Sequence, residues 1–323
     1  MVAEHWDEVT ARRATPSVLP GGAALFDAVT ARSWVLIDDG QVARFGPALA
    51  WSDRQGAASL EVLVDGGEPF AAGVIARRAA CFSPAPAVWS VSGRALSEAA
   101  PAEPLIEASS SAADPEAVAL LEAHDLEVVS EHGVLRGEVL GLEVARTVGG
   151  RLEVGVGRHD RSARIEMRPG ESLSDALSEA AGAVRSLRAL GAPPHPANTL
   201  ARSRWLRSVL VRSPSSIGLT ALTPIAPPLP WFDLPEAGAA PALGSLPGSD
   251  SRVVVVCSVG VDLDLLPTAA DCRLLYGSEA GQTDLWLVLP EGDDLPVTRS
   301  LAGRLAPPAA IHVVPRRWEK LAD

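Results

Sequence analysis

"RGEVLGLEVARTVGGRLEVGVGRHDRSARIEM", residues 136–167, decides how the middle of the chain folds. Apolar residues alternate with charged ones on both sides of Gly149 and Gly150, the period-two pattern of strands with one solvated face. A two-residue Gly-Gly turn sets Val148 opposite Arg151 and Arg146 opposite Glu153, and continued pairing sets Glu143 opposite Val156. Val144, Arg146, Glu153 and His159 then share one face, with Glu143, Ala145, Leu152, Val154 and Val156 on the other. On this register Arg146 and Glu153 form a cross-strand ion pair contributing about 0.2–1 kcal/mol. Glu143 becomes a carboxylate among apolar neighbours, and its pKa rises unless a partner reaches it. A one-residue bulge would bring Glu143 and Glu153 to one face, and Gly155 and Gly157 permit such an irregularity.

Upstream, "DPEAVALLEAHD" (114–125) predicts a helix, with Asp114 as cap, Pro115 at its first position and Glu116 at its positive end. The strand "LEVVSEHG" follows it. Downstream, "ESLSDALSEAAGAVRSLRALG" (171–191) is helical by apolar spacing, with acids early, arginines late and Gly191 at the exit. "RWLRSVLVR" (204–212) reads as a short helix or a closing strand. The central unit, 114–212, is therefore helix, three strands, helix. Before it, 1–94 is a hairpin-rich α+β unit marked by "WVLIDDGQVARFG", and 95–113 is an acidic Pro/Ala/Ser linker. After it, 213–251 is a Pro/Gly-rich linker. In 252–323, buried strands such as "RVVVVCSVG" and "DLWLVLP", separated by helix-length gaps, predict an α/β unit with a parallel or mixed sheet. The fold class is mixed α/β, and no internal repeat is legible along the chain.

The chain has 323 residues, 47% hydrophobic and 21% charged, the balance of a globular protein. No apolar run is long enough to span a bilayer. "MVAEHWDEVTARR" lacks the basic-then-apolar order of a secretion signal, so a cytoplasmic location without membrane association is expected. Cys81, Cys257 and Cys272 are too few and too scattered for a disulfide framework or a cysteine zinc site. The net charge of −12 argues against a chain coated in nucleic acid, yet charge is unevenly distributed. Residues 95–131 carry nine acids and no Lys or Arg, whereas 181–215 carry six arginines and no acid.

The helix–three-strand–helix order, with acids on its later strands, resembles the core of the restriction-endonuclease-like (PD-(D/E)XK) nucleases. That resemblance covers about a hundred residues. It implies that Glu143 and Glu153 stand where the family's two acids hold Mg²⁺ and activate water. The family's lysine, two residues after the second acid, is Gly155 here, and the Pro-Asp pair is absent. Within the arginine run, Arg202, Arg204 and Arg207 lie with Trp205 inside two helical turns, a set able to meet phosphates and a base together. The plainer reading is a helix whose arginines offset the protein's own acids. Asp262 and Asp264 follow a buried strand, where ligands of open α/β sheets bind, and Asp-x-Asp can share Mg²⁺ through oxygen ligands. The plainer reading there is a helix cap. The six histidines show no metal-ligand spacing, and neither a nucleophile elbow nor a P-loop occurs. "PIAPPLPWF" (224–232) reads as a surface linker before it reads as a polyproline ligand for a protein partner. Two functions follow as expectations. One is a DNA- or RNA-associated protein with a degenerate nuclease-like centre, taking at most Mg²⁺. The other is a non-enzymatic scaffold or protein-interaction protein.

Overall fold

The computed structural model of the chain describes residues 2–66, 69–104, 114–168, 170–229, 238–277 and 283–321. Of the linker expected at 95–113, residues 105–113 lie outside them and Ala95–Glu98 form a strand; of the proline-rich stretch 224–232, residues 230–232 lie outside them. In chain order, the first elements are α1 (Val2–His5), α2 (Glu8–Arg13), β1 (Thr15–Leu19), β2 (Gly22–Asp27), β3 (Arg32–Ile37), α3 (Phe45–Arg54), β4 (Ser59–Asp65), α4 (Pro69–Ala79), β5 (Ala87–Ser92) and β6 (Ala95–Glu98). The middle comprises α5 (Pro115–Ala123), β7 (Glu127–Glu131), β8 (Val134–Val139), β9 (Leu142–Val148), β10 (Arg151–Val154), α6 (Gly157–Met167) and α7 (Leu173–Leu187). The last elements are α8 (Arg202–Arg212), β11 (Ala221–Pro224), β12 (Ala240–Ser245), β13 (Arg252–Cys257), α9 (Leu265–Tyr276), β14 (Asp284–Pro290), α10 (Pro296–Arg304) and β15 (Ala310–Val314). The class is mixed α+β. No helix among the described residues is long and apolar enough to cross a membrane.

Two compact units divide the chain differently from the linkers read in the sequence. The first is Met1–Pro104 with Leu263–Leu274 and Asp294–Ile311; the second is Leu105–Asp262 with Leu275–Asp293 and His312–Asp323. In the first, β1, β2 and β3 form an antiparallel meander, and β3, β4 and β5 run parallel in a six-stranded sheet ordered β1 to β6. Strand order follows chain order, so the right-handed crossovers put α3 and α4 on one face. A hydrogen bond of 2.8 Å between the Ser33 and Ser52 hydroxyls fixes α3 against the face that carries Ser33, Val35 and Ile37. In the same helical layer Arg77 and Arg78 grip the buried Asp271 of α9, at 2.7 and 3.1 Å.

In the second unit β10-β9-β8-β7 is a four-stranded antiparallel sheet, one strand more than the sequence reading predicted. The extra strand arises at two turns, His132–Gly133 and Leu140–Gly141, where both residues sit at positive φ as at Gly149–Gly150. Such turns match the twist of the flanking strands, and a non-glycine first residue hides them from sequence inspection. The pairing of Val148 with Arg151 and of Arg146 with Glu153 is as the Gly-Gly turn dictates. The strand stops at Val154, however, and His159 lies in α6. Gly155 and Gly157 take positive φ, and the Asp160 carboxylate accepts from Val156 N at 2.7 Å, starting a helix where a strand was expected. One sheet face packs Leu135, Val139, Leu142 and Val144 on Leu121 of α5 and on Leu177, Ala181 and Val184 of α7.

The five-stranded sheet of the last part is ordered β11-β12-β13-β14-β15. Its first three strands form an antiparallel meander, β13 and β14 are parallel, and Glu291 N donates to Val314 O where β14 and β15 end side by side. This repeats the topology of β1–β5: a meander, then two crossovers through single helices. Landmarks repeat with it. α3 and α9 carry proline at their third residue (Pro47, Pro267), and α4 and α10 each begin on proline. Phe82 and Leu305, each two residues before a proline, pair antiparallel. Their flanks exchange reciprocal bonds, Ser83 N to Arg304 O at 2.7 Å and Ala306 N to Cys81 O at 2.8 Å. That exchange is locally two-fold symmetric. The chain thus contains an internal structural repeat that composition and periodicity do not show.

Gly141 tests the packing of the central sheet. A Cβ there would lie 2.2–2.4 Å from backbone atoms of Arg204 and Trp205, at φ +76. Gly141→Ala is expected to cost about 1–3 kcal/mol in denaturant unfolding. Gly149→Asn, at a positive-φ position with nothing within 4 Å, is expected to change stability by less than about 0.5 kcal/mol.

Candidate functional site

The second face of the four-stranded sheet is charged and buried. Glu131 ends β7, Arg136 and Glu138 alternate on β8, and Glu143 lies on β9, all nearly inaccessible to solvent. Against them lie Arg204 and Arg207 from α8, together with Arg161 from α6. Arg204 donates to Glu138 Oε1 at 2.5 Å and to Glu131 Oε2 at 2.6 Å. Arg207 donates to Glu138 Oε2 at 3.2 Å and to the Pro241 carbonyl at 3.3 Å, and lies 3.6 Å from Glu131. Glu143 accepts from Arg136 at 2.5 Å, from Arg146 at 2.6 and 2.8 Å, and from Arg161 at 2.9 Å. A register shift between Gly137 and Glu138 sets Glu138 opposite Glu143. It brings both carboxylates into one network.

α8 is therefore buried on two sides by different chemistry. Trp205, Leu206, Val209 and Leu210 pack on Val253, Val255 and Cys257 of the five-stranded sheet. Arg204 and Arg207 face the four-stranded one. Taking a guanidinium and a carboxylate out of water costs several kcal/mol each, and dense, well-aligned pairing offsets it. Burial pushes the Glu131 carboxyl up, but Arg204 and Arg207 more than reverse this and hold it below its ordinary 4.5. Glu143 behaves alike: burial raises it, and Arg146, Arg136 and Arg161 bring it below 4.5. The expected rise at Glu143 does not occur because the partners are present.

The residues singled out in the sequence fall as follows. Glu143 and Glu153 come together only around Arg161, whose Nη1 is 2.9 Å from Glu143 and whose Nε is 3.9 Å from Glu153. Glu153 is the more exposed of the two, at 29%. Both oxygens of Glu143 are occupied by guanidinium groups, and a further cation stands between the acids. This donor set does not fit Mg²⁺, which needs open oxygen ligands in octahedral array. Trp205 meets Trp318 edge-on at 5.4 Å and lies under the buried Arg188 at 4.5 Å. Arg188 donates to the carbonyls of Leu140, Ala197 and Leu200, and burial lowers its pKa to about 10. Arg202 is 42% exposed, 3.7 Å from Glu319. Arg204, Trp205 and Arg207 are therefore committed to the interior, and of the expected phosphate-binding set Arg202 alone reaches solvent.

Asp264, just before α9, accepts from Arg78 at 3.0 Å and from the Thr268 hydroxyl at 3.1 Å, so its carboxylate is engaged by a guanidinium of the protein itself. Asp262 lies in the turn before it. Among the described residues no three His, Cys, Asp or Glu side chains are grouped as a metal ion requires. The three cysteines are free and buried; burial pushes Cys257 up to about 12, so it is a thiol and not a nucleophile. Sequence reasoning missed Glu131, Glu138, Arg136, Arg146 and Arg161 as members of one network. Only Glu131 carried a signal, at the end of the acid-only stretch 95–131 that complements the arginine-only stretch 181–215; the other four lie outside both. No protein-family model, curated protein or solved structure matches the chain.

Removing Glu138 leaves two buried guanidinium groups short of a partner, and Glu138→Ala is expected to cost about 3–5 kcal/mol in denaturant unfolding. Arg212→Ala, which breaks a 2.9 Å pair with Glu127 at the surface, should cost no more than about 1 kcal/mol. The pH dependence has a definite sign. Glu131 and Glu143 hold their protons less tightly folded than unfolded, so their stabilisation is complete above the ordinary 4.5 and is lost as pH falls through the depressed values. Glu127, raised by burial, acts in the opposite sense. The midpoint of thermal unfolding is expected to fall between pH about 5 and 3, and to fall less steeply in Glu143→Gln.

Proposed function

We propose that the chain is a non-enzymatic protein-interaction or scaffold protein, and that its central charges specify the fold and receive no ligand. The observation that carries this reading is the engagement of Arg204 and Arg207 by Glu131 and Glu138 inside the protein. Phosphate binding needs guanidinium groups that exchange solvent counterions for phosphate oxygens. These two have already exchanged water for carboxylate. Arg161, seated between Glu143 and Glu153, supports the same view of the nuclease-like centre. The net charge of −12 agrees with it.

A mobility-shift series tests the reading with single- and double-stranded DNA and RNA at about 50 mM salt, with and without Mg²⁺. No shift is expected up to about 10 μM protein, a concentration within the range of about 1–100 μM where nonspecific binders already associate, and no cleavage. A salt-sensitive shift reduced by Arg202→Ala, or cleavage lost in Glu143→Ala and Glu153→Ala, would favour the nucleic-acid reading instead.

A further inference from the structure

The two copies of the repeat differ in what covers one face of the sheet. In the second copy that face carries Val253, Val255 and Cys257, and α8 lies on it through Trp205, Leu206, Val209 and Leu210. In the first copy the corresponding face carries Trp34 and Leu36 of β3 and Leu63 of β4, on the side away from α3. The short α1 and α2 cover part of it, with Trp6 edge-on to Trp34 at 6.0 Å and to Trp89 at 5.8 Å. Beside them an open groove of about 610 Å³ remains, lined by Val2, Ala11, Val18, Leu25, Leu36 and Leu63. Val18 on the edge strand is 91% exposed. An apolar groove of this kind is where a globular chain receives a partner.

Charge at one end narrows the partner further. Strand alternation carries the face of Leu36 and Leu63 on to Asp38 and Asp65, adjacent at the carboxyl ends of β3 and β4. Neither forms an ion pair among the described residues, and side by side they call for a cation. We infer that this groove docks an amphipathic helix of another protein, with large apolar residues at i, i+1, i+4 and i+5 and a lysine or arginine at one end. The helix would take the position on the first repeat that α8 takes on the second. The inference rests on the protein-interaction reading and gives its partner a chemistry.

The test uses the full chain and a fluorescein-labelled helical peptide bearing the Trp205, Leu206, Val209 and Leu210 pattern of α8. All its other positions are polar, and two lysines end it. Fluorescence polarisation should show saturable binding. Val18→Asp, at an exposed position, should weaken it about tenfold. The double variant Asp38→Asn and Asp65→Asn should weaken it about threefold or more and remove most of its salt dependence. Unfolding midpoints of both variants, matched to the parent, show that the fold is intact. Absence of saturable binding at about 200 μM peptide, or equal binding by Val18→Asp, overturns the proposal. So does a dimer in light scattering that Val18→Asp dissociates, because the groove would then hold a second copy. Failure here leaves the protein-interaction reading standing if nucleic acids still do not bind; a salt-sensitive shift with nucleic acid removes that reading whatever the peptide does.

Discussion

A stripe of guanidinium groups on one side of α8 meets carboxylates on β7 and β8, and the second unit is organised around that meeting. The same helix sends Trp205, Leu206, Val209 and Leu210 into the five-stranded sheet. A helix bound this way cannot rotate. Turning it would bring arginines against Val253 and Val255 and leave Glu131 and Glu138 buried without partners. Hydrophobic contact alone would set a distance between the sheets with little preference for register. The charges add direction, because each fork of Arg204 has its own carboxylate. A buried polar network of this kind is weak evidence for stability. What it contributes is the exclusion of other packings.

The legible part of the fold was the part set by local chemistry. The Gly149–Gly150 turn fixed the register of its hairpin, and Asp114 and Ser172 cap helices at the positions their residue types favour. Local rules failed where long-range contact chose the conformation. Leu140 adopts φ 49 in a two-residue hairpin turn that its residue type does not announce, and that turn packs against the backbone of Arg204 and Trp205, some sixty residues away. α6 replaced an expected strand because two glycines and the Asp160 cap outweighed an alternation carried over from the preceding residues. That the arginines pair with the protein's own acids was the plainer reading of the sequence; that the pairs are buried escapes it for a general reason. Helical amphipathicity treats charged positions as the solvated face, and on α8 the charged face is as buried as the apolar one.

The internal repeat presents two kinds of sheet surface. Topology, helix-starting prolines and the Phe82–Leu305 exchange are common to both halves, while the residues on the far faces differ. One far face was closed by α8, which the intervening β7–β10 sheet holds in place through its carboxylates. The other was left with α1 and α2, helices of four and six residues that are too short to cover it. On this view the arginine–glutamate network acts at the level of the fold, by securing the helix that completes the second repeat. The proposed docking groove then lies on the incomplete first repeat rather than at the buried charges.

A double-mutant cycle on Glu138 and Arg204, read by denaturant unfolding of the full chain, measures the central interaction most directly. The account predicts that Glu138→Ala and Arg204→Ala are strongly non-additive, with a coupling energy of at least about 1.5 kcal/mol, and that the double variant is more stable than the sum of the single losses implies. Losses that add within about 0.5 kcal/mol would contradict it. They would mean that the helix is held by its apolar face alone.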